Sequence, residues 1–284
     1  MRRLIPFILL ICAGVFPAAC SAEPEAPAAA SPPPAVTATA PALPAGLEPA
    51  GHGEVTGIVD GDTVTLRDGR QVRLVGIQAP KLSLGRAHVQ DWPLAHEAKA
   101  ALAGLVMGER VTLHTGDTAE DRHGRVLAHI VRQKDDVWVQ GELLRVGWAR
   151  VYTFADNRRA AAAMLALERE ARAARRGIWA HSFYAIRTPE NVGRRLDQFE
   201  IVEGTVRAVA EVKGRVYLNF GDDWRRDFTV KIERQNRKAF SQADLNPTQW
   251  QNQHLRVRGW VFLENGPMIE ASHPEQIELL PPTR

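Results

Sequence analysis

The chain has 284 residues, 45% of them hydrophobic and 24% charged, the make-up of globular protein long enough for about two domains. A formal net charge of only +3 excludes attraction to polyanions through bulk charge and leaves local cation clusters to supply it. Both cysteines, Cys12 and Cys20, fall in the first 20 residues, which excludes disulfides, thiolate metal ligands and redox chemistry from everything beyond them.

Residues 1–22 have the order of an export signal: Met1-Arg2-Arg3, an apolar run from Leu4 to Val15, then small residues through Ala22. The run is shorter than the roughly 20 residues that span a bilayer, so a permanent membrane helix is the weaker reading. Ala18-Ala19-Cys20 resembles a bacterial lipobox, with Cys20 the lipidated residue and a membrane anchor the result, although Pro17 departs from the pattern. Cleavage after Ala22 is the alternative. Residues 23–50 are mostly Ala and Pro with almost no charge and are expected as a disordered tether. The expected location is the cell envelope or periplasm, or the exterior if no lipid is added.

From Glu54 the pattern alternates, predicting strands over Val55–Val59, Thr63–Arg67 and Gln71–Gly76 separated by Asp60-Gly61 and Asp68-Gly69 turns. A helix follows over Leu94–Met107, where Ala98, Ala101, Leu102, Leu105 and Val106 recur at helical spacing and Gly108 ends it. Strands at Arg110–His114 and Leu127–Val131 flank a charged loop, Asp121-Arg122-His123-Gly124-Arg125. Glu142–Val146 reads as a short helix and Asn157–Arg176 as a long one capped by Gly177. The arginines of the long helix are expected on a solvated face relieved by Glu168 and Glu170, with a nucleic-acid contact the minority reading.

A second all-β unit starts near Phe199. Strands are expected over Ile201–Val212, Arg215–Phe220, Phe228–Ile232, Leu255–Leu263 and Pro267–Ala271, with a helix near Arg237–Ala243 between the third and fourth, the order of an OB-type barrel. Tyr217, Phe220, Trp224, Arg225, Arg226 and Trp260 mix aromatics with cations, a combination that single-strand binders use and that core packing also explains.

Val59-Asp60-Gly61-Asp62-Thr63-Val64, Val72-Arg73-Leu74-Val75-Gly76-Ile77, Asp121-Arg122-His123-Gly124-Arg125, Gly147-Trp148-Ala149-Arg150-Val151 and Arg176-Gly177-Ile178-Trp179 occur in the order and spacing of staphylococcal nuclease-like domains. The resemblance covers about Glu54 to Ala180. It implies a mainly β, α+β architecture: a five-stranded OB-type barrel with three helices (residues 51–184), followed here by the second OB-like barrel (198–284). By position, the resemblance makes Asp62 a calcium ligand, and Arg73 and Arg125 the catalytic arginines that grip a phosphodiester. The family's second acidic ligand and its glutamate base are replaced, because Gly76-Ile77-Gln78-Ala79-Pro80-Lys81 stands where Gly-Ile-Asp-Ala-Pro-Glu is usual. Tyr152 and Phe154 fall roughly where the family packs tyrosines on a base or sugar.

Gln78 keeps a ligand oxygen but loses a full charge, so calcium binding is expected to be weak or lost. An ammonium at Lys81 cannot accept a proton from water; it adds instead a cation for substrate. His88, Asp91, His96 and Glu97 are the candidates for a replacement base, and His123 is expected to pack. The leading expectation is an exported protein that binds the backbone of single-stranded DNA or RNA with hydrolysis weakened or lost. A divergent calcium-dependent phosphodiesterase and an envelope scaffold binding protein or glycan are the alternatives. No protein partner is identified.

Overall fold

A computed structural model describes residues 40–281; the expected export signal, Cys20 and most of the expected tether lie outside them. Among the described residues no helix is long and apolar enough to cross a membrane.

The first barrel unit comprises strands β1 (Glu48–Asp60), β2 (Thr63–Leu66), β3 (Gln71–Leu74) and β4 (Ile77–Gln78), helix α1 (Ala95–Val106), strands β5 (Arg110–Thr115), β6 (Val126–Arg132) and β7 (Val137–Trp138), helix α2 (Val139–Arg145), strand β8 (Arg150–Val151) and helix α3 (Ala161–Ala173). The long β1 serves two neighbours: its first half pairs with β5 and its second half with β2. A parallel β3–β6 pairing closes the ring in the order β1-β2-β3-β6-β5. Alternate residues point inward, Val64 and Leu66, Val72 and Leu74, Val111 and Leu113, all at most 1% exposed. α1 lays Ala98, Leu102 and Val106, spaced four apart, onto the barrel's end. β1 starts inside the stretch expected as tether, because Glu48 and Pro49 find partners in Thr115 and His114, and Leu43 and Leu47 pack on the core.

The second unit comprises β9 (Gln198–Thr205), β10 (Ala208–Val212), β11 (Arg215–Asn219), β12 (Thr229–Ile232), α4 (Arg237–Gln242), β13 (His254–Leu263), β14 (Pro267–Glu270) and β15 (Ile277–Leu280). It repeats the ring: β10-β11-β12-β14-β13, with β9 on β13 and a parallel β12–β14 pairing. Both rings place a helix between the third and fourth strands, the OB arrangement. The single strand expected over 201–212 divides at Val206, whose buried side chain and N–H bond to the Gln253 carbonyl (3.0 Å) take it out of the ladder. β15 is an addition; it borders β13 and has no local partner.

α3 is shorter at both ends than its periodicity predicts. Asn157 donates its backbone N–H to the Phe154 carbonyl (3.0 Å) and its amide to the Thr118 carbonyl (2.8 Å), so residues 154–157 turn before the helix starts. At the far end Arg175, at φ 52°, takes the left-handed position and Arg176 N–H bonds back to the Ala171 carbonyl, ending the helix before Gly177. Gly177 instead allows two stretches of backbone to cross. A Cβ there would lie 2.2 Å from the Gly147 carbonyl oxygen, a contact that only glycine avoids.

The arginine-rich stretch around α3 is solvated only in part: Arg159, Arg169, Arg175 and Arg176 are exposed, while other members turn into the junction with the second barrel. Arg158 bonds Glu275 (2.8 Å), and Arg169 and Arg172 approach Glu278, all on the second barrel. Glu168, expected at the surface, is fully buried at this junction and accepts from Arg258 Nη1 and Nη2 (3.0 Å each), Arg172 (2.7 Å) and the Val151 N–H (2.6 Å). Burial alone would raise the Glu168 pKa, but Arg258, Arg172 and the Val151 N–H outweigh it and hold the carboxyl below its ordinary value. A carboxylate depressed in this way adds stability above its unfolded pKa, near 4.5, and loses it as pH falls through the folded value.

Arg258→Met strips Glu168 of one of its two cations and is expected to cost about 3–5 kcal/mol in urea unfolding at neutral pH. The deficit should narrow below the ordinary carboxylate pKa of 4.5, as Glu168 takes up its proton. A loss under about 1 kcal/mol, or one indifferent to pH, would contradict the junction as drawn.

Candidate active site

The β1–β2 turn carries Asp60 and Asp62 inward. Gly61 lets it sit flush on the loop after β4 and on α1, since a Cβ at Gly61 would lie 2.6 Å from that of Ala79 and 3.0 Å from that of Ala98. Asp62, 0% exposed, accepts the Ala79 N–H at 2.8 Å. The Lys81 ammonium lies 2.6 Å from both Asp62 oxygens and 3.3 Å from Asp60. Arg73, on β3, brings its Nη2 to 3.3 Å from Asp62 Oδ2.

Burial by itself would raise the Asp62 pKa, but Arg73 and Lys81 reverse the effect and hold it at about 2. Asp60 moves the other way: burial first, then the charge of Asp62, push its carboxyl above the usual range against the pull of Lys81. Two carboxylates thus face two cations in a pocket that is close to neutral as it stands.

Lys81, expected to reach substrate, instead has its ammonium on the two aspartates. Gln78, expected to offer an oxygen to a metal, has that oxygen capped by Arg150 Nε (2.9 Å) and Nη2 (2.7 Å), because β4 pairs with β8 in the register Gln78–Arg150. Arg150 is buried against the rings of Phe199 (4.8 Å), Trp92 (5.7 Å) and Tyr184 (6.0 Å); burial lowers its pKa to about 10, still charged at neutral pH. Arg73 spends both terminal nitrogens indoors, on the Leu74, Asp62 and Ile77 carbonyls, so it braces the loop that leads to Lys81. Among the described residues no three His, Cys, Asp or Glu side chains are placed to hold a metal ion.

Beside this pocket a cleft of about 750 Å³ is lined by Arg73, Arg122, Arg125, His123, Tyr152, Phe154 and Trp260, with Glu120, Asp121 and Asp156 on the same wall. Arg125 bonds Asp121 through Nε (2.8 Å) and Nη2 (2.7 Å); its Nη1 edge makes no hydrogen bond among the described residues. His123 does not pack as expected: it is exposed on the cleft and accepts a bond from Arg122 Nε (3.2 Å). None of His88, Asp91, His96 or Glu97 lines the cleft; His96 is engaged with Asp91 (3.0 Å), whose other oxygen accepts the Ser83 N–H (2.6 Å). The second barrel has its own hollow of about 370 Å³ around Tyr217, Trp224 and Met268, which shares no lining residue with the cleft. Sequence reasoning missed Asp60, Arg150 and the place of Trp260 in this cleft; Asp60 carried a local signal in the Asp-Gly-Asp turn and Arg150 one in the Gly-Trp-Ala-Arg-Val motif.

Lys81→Met leaves Asp62 buried with Arg73 as its remaining cation and is expected to cost about 3 kcal/mol in chemical denaturation at neutral pH. Asp60→Asn should cost less than about 1 kcal/mol, since its charge is already disfavoured there and the amide still accepts the Asp62 N–H. The wild type should lose stability as pH falls from 3.8 toward about 2, the window over which the depressed Asp62 takes up its proton. Equal costs for the two substitutions would contradict the assignment of Asp62 as the paired carboxylate.

Comparison with known proteins agrees with the fold of the first barrel unit. Residues 71–181 match the family described as staphylococcal nuclease homologue. The chain is 35% identical to Protein ParB of Escherichia coli over 145 residues, 45% of this chain and 72% of that protein. It is 32% identical to an uncharacterized endonuclease of Escherichia coli over 131 residues, 45% of this chain and 76% of that protein. With endonuclease YhcR of Bacillus subtilis it shares 26% identity over 209 residues, 69% of this chain but 16% of that protein.

Proposed function

The chain belongs to the staphylococcal nuclease homologue family, and from that premise we propose that it holds a nucleic-acid strand by its phosphodiester backbone without the family's calcium-dependent cut. One observation carries the reading: the Lys81 ammonium lies 2.6 Å from both oxygens of Asp62. Calcium takes carboxylate oxygens at about 2.3–2.6 Å, so ion and ammonium compete for the same place. The remaining donors do not fit the ion either, since calcium takes roughly six to eight oxygens. Gln78 is capped by Arg150, and a dication added to a near-neutral pocket would stand beside two cations with no new anion to offset it.

What the cleft offers to phosphate is the free edge of Arg125 and the exposed Arg122, with Arg73 as the brace behind them. Three carboxylates on the same wall keep the electrostatic part modest, so affinity should fall gently with salt. A single strand fits this reading, because half-exposed Phe154 lines the cleft beside Tyr152. The order of charged, apolar and small residues over 1–22 supports export to the cell envelope with a lipid anchor at Cys20.

The test is incubation of the purified full chain with a single-stranded oligonucleotide, with calcium or with a chelator. Binding is expected to be the same in both, with the oligonucleotide intact, and Arg125→Ala should weaken it about tenfold. The double substitution Gln78→Asp with Lys81→Glu should make binding of calcium measurable. Cleavage by the unaltered chain that the chelator abolishes would overturn the proposal.

A further inference from the structure

The two barrels meet at the cleft, and the junction puts a second-barrel side chain on its wall. Trp260, on β13, lines the same cleft as Arg122 and Arg125 and remains 48% exposed. Its indole Nε1 donates to the Tyr152 hydroxyl at 2.9 Å, which fixes the ring across the boundary between the units. Tyr152 is itself wedged edge-on between Phe154 (4.8 Å, 79°) and Phe199 (4.7 Å, 87°), so the group is a rigid cluster. Two of its rings, Trp260 and Phe154, stay about half exposed on a wall that also carries arginines. The Thr153–His273 bond (2.8 Å) and the Arg258–Glu168 pair hold the two barrels in this register.

We propose that Trp260 is a base-contacting residue: an unpaired nucleobase stacks on its exposed face while the adjoining phosphates lie along Arg122 and Arg125. This rests on the strand-binding reading above and adds a contact to the bases themselves and a role for the second barrel as one wall of the site. Three physical points favour a base over other apolar occupants. The exposed rings share one cleft with the guanidinium groups of Arg122 and Arg125, a π-face and a cation that match the base face and the phosphate anion of a nucleotide. Tyr152 already satisfies the indole N–H, so the free ring offers only its π surface, which suits stacking rather than a directional contact. A paired base keeps its faces within its own duplex, so the platform discriminates by strandedness and not by sequence.

The experiment compares a short oligothymidylate with the same sugar–phosphate strand lacking its bases, each titrated into the full chain by fluorescence anisotropy. The intact strand is expected to bind at least about tenfold more tightly than the base-less one, the scale of a single stacked base. Trp260→Ala should remove about tenfold from the intact strand and leave the base-less strand within about twofold. Trp260→Leu, which keeps apolar bulk without a π face, should behave the same way and guards against a variant that fails to fold. Arg125→Ala should weaken both strands alike. If the wild type binds neither strand, the strand-binding reading fails and this proposal with it. If the wild type binds both strands equally, or if both Trp260 variants lose the two strands in parallel or lose neither, the stacking role alone is overturned.

Discussion

A buried carboxylate is tolerable only when its charge is met, and the first barrel is organised around meeting that of Asp62. Lys81, Arg73 and the Ala79 N–H all meet it. Those contacts in turn fix the local backbone. The turn at 60–62 must press onto Ala79 and Ala98, the loop after β4 must bring Lys81 back over the turn, and Arg73 must hold the carbonyls between them. The outcome is a site that is close to neutral and fully hydrogen-bonded as the chain stands. The donors left for an anion lie outside the pocket, in Arg122 and the Nη1 edge of Arg125, beside the carboxylates of Glu120, Asp121 and Asp156.

The second barrel takes part in this arrangement through contiguous contacts. Arg258 holds Glu168, and Glu168 holds the Val151 N–H. Val151 and Arg150 form β8, which pairs with Ile77 and Gln78 of β4, and the next residue, Ala79, donates to Asp62. Arg150 meanwhile lies over Phe199 of β9. Both barrels share the OB ring order, yet their use differs. The first buries its charges next to a cleft, while the second lends that cleft the face of Trp260 and keeps a separate hollow around Trp224.

Legibility in the sequence followed the range of the interactions. The strands around Asp60-Gly61, Lys213-Gly214 and Asn265-Gly266 were readable because a tight turn and an alternating run lie within a few residues of each other. β4, β8 and β15 were not, since their hydrogen bonds come from partners far away in the chain. The same divide runs through the site. The positions of Asp62, Gln78 and Lys81 could be read from the motif, but their partners could not: Gln78 meets Arg150 from 72 residues away, and Tyr152 meets Trp260 from 108. Burial misled most at α3, where a sequence of alternating arginine and glutamate has the look of a solvated face, yet Glu168 and Arg172 turn inward to pair with charges of the second barrel.

Thermal unfolding of the full chain with millimolar calcium and with a chelator tests the central claim most directly, because an ion bound only by the folded state must raise the melting temperature. With the Lys81 ammonium seated on Asp62, the two melting curves should superimpose. A calcium-dependent rise of several degrees would mean that the ion displaces that ammonium, and would contradict the account.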